Sequence, residues 1–476
     1  MLNRPETSHQ WSNPSMKLVG TDHATTGEPR RDAAAEWLLG RINYERTQVV
    51  PYGERQLKLD RMRQFVTALG SPDTAAPIIH IAGTKGKGST AAMVAAMLTS
   101  AGYRTGVFSS PHLERLEERF AIDGVPATGE QLAELVDTVR PVVEEFDRRA
   151  AAAGEDGLTF FDITTAIALV HFAQQQCTAM VLEVGLGGRL DSTNVCLPAV
   201  SVITTISFDH TKQLGNTLAS IAGEKAGIIK SGVPVVSGVV PAEPRDVIAN
   251  VALEHGCRMI ELGREFDYRY HPSKKGDSLD YLVKGQSNLA EVKLALTGEH
   301  QAANAAVSLA VIEELARQGW QIPESARRQA LGSVQVPGRV ELLPGKPVTV
   351  LDTAHNAASA AALAATLAVR CEVPRTLVVS CSKDKDFAAI AGALAPVFER
   401  VLITEYQTNP RVVPAEQLAE VFRQAAPQVA IEIVKSPHEA WHRANQVTPA
   451  DGLICITGSF FLAAELRPIV LSERKS

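Results

Sequence analysis

Eight consecutive residues carry the clearest chemistry in the sequence: Gly83-Thr84-Lys85-Gly86-Lys87-Gly88-Ser89-Thr90. An apolar run ending at Ala82 precedes them, and a stretch rich in Ala and Met follows. Strand, glycine-rich turn, lysine, hydroxyl and helix in that order make a phosphate cradle. The glycines let backbone N–H groups face phosphate oxygens, Lys87 reaches the terminal phosphates, and the helix N-terminus adds partial positive charge. Ser89 is placed to ligate Mg²⁺. Gly88 interrupts the common G-x-x-x-x-G-K-[ST] spacing, which argues against a GTPase-like switch.

A second group of residues reads as a metal constellation. Glu183 ends an apolar run and opens Glu183-Val184-Gly185-Leu186-Gly187-Gly188-Arg189-Leu190-Asp191. A carboxylate at a strand tip beside a phosphate loop is where a further Mg²⁺ ligand belongs. Asp209-His210 adds a carboxylate and an imidazole just past the next strand, although such a histidine is more often structural. Glu224-Lys225 sits in an otherwise apolar helix. An ammonium about 4 Å from Mg²⁺ would be repelled by roughly 8 kcal/mol at an effective dielectric near 20. Lys225 is therefore carbamylated, or it faces phosphate, or it pairs with Glu224. The frequency of such pairs on helices favours the ion pair.

The elements that must hold these groups alternate along the chain. Helical periodicity is found at residues 33–44 and 57–69, the latter placing Leu59, Met62, Val66 and Leu69 on one face. Strands are expected at 78–82, 105–108, 179–184, 200–206 and 233–236, with helices near 128–149, 161–174, 246–255 and 301–318. Short strands are expected at 279–283 and 290–296. Near-continuous apolar strands imply a parallel sheet covered on both faces. A second alternating run has strands at 347–351, 375–380, 401–404, 429–434 and 452–456. The reading is an α/β protein with a P-loop nucleotide-binding domain of mostly parallel sheet, residues 31–336, followed by a smaller Rossmann-like α/β domain, residues 337–476. Substrate sites in such pairs usually lie in the cleft between domains.

Composition sets the remaining bounds. At 476 residues the chain holds two or three domains on a scale of roughly 100–200 residues each. A net charge of −6 argues against a nucleic-acid partner. No apolar run approaches the ~20 residues that cross a bilayer, so a soluble protein without a membrane partner is expected. Six scattered cysteines without a Cys-x-x-Cys pair fit a reducing cytoplasm and give no zinc signature. Residues 1–30 read as a disordered extension. Lys383-Asp384-Lys385-Asp386 lies in the second domain and reads as a solvated turn near the cleft.

Taken together, the motifs resemble the folylpolyglutamate synthase/dihydrofolate synthase family, within the Mur-type ligases. The resemblance runs from about Trp37 to Arg467 and includes Leu59-Asp60-Arg61-Met62-Arg63, the phosphate loop, Ser110-Pro111-His112-Leu113, the segment opened by Glu183, Asp209-His210 and Glu224-Lys225-Ala226-Gly227-Ile228. It continues through His300-Gln301-Ala302-Ala303-Asn304-Ala305, Pro337-Gly338-Arg339, Asp352-Thr353-Ala354-His355-Asn356 and Thr457-Gly458-Ser459. The interrupted loop spacing is that of amide-forming ligases.

The resemblance implies an ATP-dependent ligase that adds L-glutamate to a folate or to dihydropteroate through an acyl phosphate, with two Mg²⁺ ions. By similarity, Ser89 and Glu183 hold one ion, and Glu183, His210 and carbamylated Lys225 hold the other, which reverses the ion-pair reading of Lys225. Lys87, Lys225 and His210 are the implied catalytic residues. Asn304, Arg339, Asp352 and His355 join loop residues 83–90 in contacting ATP, and Ser110 to Leu113 border the pterin. A monomer is expected. Two departures stand out: the family usually has Asn in place of Lys85, and Asp-Gly-Ala-His-Asn-Pro where this chain has Asp352-Thr353-Ala354-His355-Asn356-Ala357. Two rival readings are a Mur-type ligase acting on a UDP-linked cell-wall precursor and a non-catalytic P-loop module. The first expects a dedicated domain ahead of the loop, and the second expects nucleotide binding without ADP release.

Overall fold

The computed structural model describes residues 27–44, 58–284, 289–370 and 373–475. Most of the extension expected at 1–30 lies outside these residues. Its end needs correction, because the first helix, Pro29–Leu39, starts inside it with proline in the first turn, where a missing N–H costs nothing. Arg30 of that helix is tied to Glu130 and Asp137.

The first sheet comprises β1 (Ile78–Ala82), β2 (Thr105–Phe108), β3 (Phe120–Ile122), β4 (Val125–Pro126), β5 (Ala179–Glu183), β6 (Val200–Ile203), β7 (Val235–Ser237) and β8 (Met259–Glu261). They lie in the order β4-β3-β2-β5-β1-β6-β7-β8. All neighbours are parallel except the β2–β3–β4 edge. Every residue of β1 and β5 is buried, because helices cover both faces. Ile79, Ile81, Ala179 and Val181 pack on one side with helices Lys87–Ser100 and Glu299–Arg317. Ile78, Met180 and Leu182 pack on the other with helices Lys58–Ala68, Gly129–Ala153 and Phe160–Gln174. That is the two-residue alternation of a strand buried on both faces.

A smaller antiparallel sheet, β9 (Phe266–His271), β10 (Asp277–Val283) and β11 (Leu289–Leu294), adds Phe266, Leu279 and Val292 to the first of these cores. Its last two strands are expected from the sequence; β9, whose aromatic and charged residues alternate without an aliphatic run, is not, and neither are β8, β12 and the β3–β4 hairpin.

The third sheet lies wholly after residue 340. Its strands are β12 (Glu341–Leu343), β13 (Val348–Leu351), β14 (Arg375–Val379), β15 (Arg400–Ile403), β16 (Ala430–Ile433) and β17 (Leu453–Thr457). The order is β12-β13-β17-β14-β15-β16, parallel except for β12. Leu113 from the first sheet's side is buried with Leu351, Ala463 and Ala464, and Arg467 bridges Glu341 at 2.7 Å and Glu114 at 2.5 Å. These contacts join the two α/β units. No helix among the described residues is long and apolar enough to cross a membrane.

Candidate active site

The phosphate loop leaves β1 at the switch point of the first sheet, where β5 and β6 flank it, the position at which open α/β sheets bind ligands. The next helix begins at Lys87, with Gly86 as its left-handed cap at φ 83°. The end of β6 fixes the loop from below. Thr84 N–H donates to Thr205 O at 2.8 Å, Lys85 N–H to Thr205 Oγ1 at 3.0 Å, and the Thr204 hydroxyl to Lys85 O at 2.6 Å. A Cβ at Gly86 would lie 2.3 Å from Asn304 Oδ1, so only glycine lets Asn304 approach this closely. Asn304 is itself oriented by Gln301, which accepts its amide at 3.0 Å.

Glu183 stands at the tip of β5 with its side chain buried. One carboxylate oxygen accepts Ser110 N–H at 3.3 Å, and the Lys87 ammonium is 4.0 Å away. Burial pushes its pKa up, opposed by the Lys87 cation. Ser89 is buried in the first turn of the adjoining helix. A buried carboxylate whose ammonium neighbour Lys87 stands off at 4.0 Å, packed against Gly88 next to the buried Ser89, is an oxygen donor set for a hard cation, so these residues fit Mg²⁺. The loop after Glu183 is shaped by Asp191, which accepts the N–H groups of Gly185 and Leu186 and the Thr193 hydroxyl.

Lys225 does not pair with Glu224, contrary to what helix statistics favour. Arg189 takes Glu224 at 2.7 Å, and the buried Lys225 ammonium donates to Gly83 O at 2.9 Å. Burial, together with the Lys87 cation, lowers the Lys225 pKa to about 7. His210, in a left-handed conformation at φ 50°, has a half-exposed ring. Desolvation in the cleft lowers its pKa to about 4, and the lysines around it reinforce the shift over the opposing pull of Asp209.

Asp209 is the junction of the site. One oxygen accepts Lys85 Nζ at 2.8 Å and the other accepts Lys385 Nζ of the second α/β unit at 3.2 Å. Burial opposes its charge, yet Lys85, His210 and Lys385 hold its carboxyl well below the usual carboxylate range. Lys85 also donates to His355 Nε2 at 3.4 Å, while His355 Nδ1 bonds Thr353 O at 2.9 Å. Burial, reinforced by these lysines, pushes the His355 ring down to about 3, so it accepts from Lys85 as a neutral imidazole.

The chain matches the Mur ligase middle domain over residues 81–312 and the Mur ligase glutamate ligase domain over residues 338–460. It is 33% identical to the dihydrofolate synthase/folylpolyglutamate synthase of Bacillus subtilis over 443 residues, 91% of this chain and 97% of the relative. The chain belongs to the dihydrofolate synthase/folylpolyglutamate synthase family. The Mycobacterium tuberculosis folylpolyglutamate synthase complexed with ADP has a similar structure, with TM-score 0.84 and 33% identity over 93% of this chain and 98% of that one. Escherichia coli FolC in complex with DHPP and ADP is also similar, with TM-score 0.78 and 30% identity over 93% and 98% of the two chains.

Against the family pattern, Lys85 and Thr353 both find partners. Lys85 extends the phosphate loop to Asp209 and His355. The Thr353 hydroxyl accepts from Arg339 at 2.6 Å and donates to Gly338 O at 3.1 Å, bonds that a glycine at this position could not make. Asp352 is buried, and its oxygens accept Val340 and Ala354 N–H, so it shapes the segment entering the third sheet. In the segment expected at the pterin, Ser110 and His112 are half-buried and Pro111 is exposed, whereas Leu113 is taken up by the contact between the two units. Arg119, fully buried, holds His112 through a 2.8 Å bond to Nδ1.

The roles of Thr204, Thr205 and Lys385 are not legible in the sequence. Their partners are more than a hundred residues away in the chain. The signal that was available is the hydroxyl-rich Thr204-Thr205-Ile206-Ser207 at the end of β6.

Proposed function

We propose that the chain is an ATP-dependent ligase that joins L-glutamate to the carboxylate of a folate or of dihydropteroate. The observation that carries this reading is the Lys85–Asp209–Lys385 junction. It couples the phosphate loop to the unit that matches a glutamate ligase domain. Residues 31–336 supply the nucleotide site, and residues 337–476 close over it.

In the first step the substrate carboxylate attacks the γ-phosphorus of ATP, an acyl–phosphate bond forms, and ADP departs. Lys87 and the backbone N–H groups of residues 83–89 hold the charge that develops on the transferred phosphoryl group. In the second step the neutral α-amine of glutamate attacks the acyl carbon and inorganic phosphate leaves as the amine proton is lost. Ser110, Pro111 and His112 border the reacting carboxylate through the Ser110–Glu183 contact.

Ser89 and Glu183 would hold one Mg²⁺, and Glu183, His210 and Lys225 the second, with Lys225 carbamylated. Support for the carbamate comes from Lys225 itself, which is buried beside Gly83 O while Arg189 occupies Glu224. When bound, Mg²⁺ supplies charge neutralisation for the ATP phosphates. Asn304 packs against the loop at Gly86 and His355 meets it through Lys85; with Arg339 and Asp352 they would contact ATP, and Lys85 with His355 would close the nucleotide in.

The test is ADP release with dihydropteroate and with tetrahydrofolate, each supplied with glutamate. Release that depends on glutamate and at least one of these acceptors is expected. ADP release indifferent to both would overturn the proposal.

A further inference from the structure

Two histidines one helical turn apart, His438 and His442, lie on the exposed face of helix Pro437–Val447. Their Nε2 atoms are 3.1 Å apart, and their rings meet at 89°. Glu473, from the final helix Phe460–Lys475, brings Oε1 to 3.6 Å from His442 Nε2. Its other oxygen accepts the indole N–H of Trp441 at 2.7 Å, and Trp441 is fully buried. The three donor atoms fall within 4.8 Å of one another. None of these residues belongs to the phosphate loop, the Glu183 segment or the Asp209 junction.

Two imidazole nitrogens at this separation can share only one proton. A cation bound at ~2.0–2.1 Å to each nitrogen in tetrahedral geometry sets them about 3.3 Å apart, close to the spacing already present. The buried indole holds the carboxylate as an outer-shell partner orients a metal ligand. Two imidazoles and one carboxylate suit Zn²⁺, Ni²⁺ or Cu²⁺ rather than Mg²⁺. We propose that His438, His442 and Glu473 form a surface site for a divalent transition-metal ion of the Zn²⁺ class, with a fourth position open to water. The ion ties the last helix of the chain to helix Pro437–Val447.

The experiment is calorimetric titration of the full chain with Zn²⁺ in excess Mg²⁺ and ADP, which keep the nucleotide site occupied. The wild type is expected to take up one equivalent more than His438→Gln/His442→Gln, and Glu473→Gln to bind that equivalent at least about 10-fold more weakly. Zn²⁺ should raise the thermal midpoint of the wild type and not of the double variant, whose midpoint without metal is unchanged. Ligase activity should persist in all variants. Equal Zn²⁺ uptake by wild type and double variant, or none by the wild type, overturns the site.

Discussion

Lys385 of the second α/β unit and Asp209 of the first are joined across the cleft, Nζ to Oδ1, at 3.2 Å. The other oxygen of the same carboxylate holds Lys85 of the phosphate loop at 2.8 Å. One carboxylate thereby sets the distance between the loop and the opposing unit. Lys385→Met and Asp209→Asn should each lower kcat/KM for ATP by about 10- to 100-fold, the value of a charged hydrogen bond of about 1.5–3 kcal/mol. The double variant should lose much less than the product of the two single effects. Steady-state ADP release measures both, and multiplicative losses would show that the residues act independently.

Removing the ammonium or the carboxylate at the heart of the site tests a different part of the account. Lys87→Ala and Glu183→Ala are expected to lower ligation by at least about 100-fold while far-ultraviolet circular dichroism stays native. Chelation of Mg²⁺ by EDTA should have the same effect on the wild type, reversed by added Mg²⁺. A variant that turns over at a near-normal rate would remove that residue from the site.

Gly86→Ala places a methyl group 2.3 Å from Asn304 Oδ1 at a backbone φ of 83°. Strain of about 1–3 kcal/mol should follow, expressed chiefly as weaker nucleotide binding because the loop is the part that yields. ADP titration by calorimetry reads this directly. An unchanged affinity would mean that Asn304 moves aside freely.

How far these groups could be foreseen depended on the range of their partners. The phosphate loop and Glu183 are legible because strand, turn and helix are contiguous, and the local order of residue types already dictates the chemistry. Asp209 and Lys385 are 176 residues apart, and Lys383-Asp384-Lys385-Asp386 looks like a solvated turn until the fold brings Lys385 to a half-buried carboxylate. Lys225 fails for a related reason: helix statistics pair it with its neighbour Glu224, but Arg189, from the loop after β5, reaches that carboxylate first. The major strands were readable from apolar runs, whereas β9 was hidden by its alternation of aromatic and charged residues.

His80, wholly buried in β1, ties stability to pH. Thr193 donates its hydroxyl to Asp191 at 2.5 Å, so His80 Nε2 donates to Thr193 Oγ1 at 2.8 Å, and the buried Nδ1 has no acceptor among the described residues for a second proton, which favours the neutral ring. Burial, aided by the Lys230 cation, pushes the His80 pKa down to about 3 from 6.5. Between those values the unfolded chain holds a proton that the native state lacks, so stability falls as pH is lowered through the window. The loss reaches on the order of 4 kcal/mol at its acid end. Thermal unfolding at pH 6.5 and pH 4 should show a smaller drop in midpoint for His80→Gln than for the wild type. Equal drops would assign the acid sensitivity to other groups.

The most direct test of the account follows the oxygen atoms of the acceptor. A folate or dihydropteroate acceptor carrying ¹⁸O in its reacting carboxylate is incubated with ATP, glutamate and Mg²⁺, and the inorganic phosphate is analysed by mass spectrometry. Attack of that carboxylate on ATP predicts one ¹⁸O in each phosphate released, in step with the glutamylated product. Unlabelled phosphate, or ADP formed without glutamylated product, would contradict it.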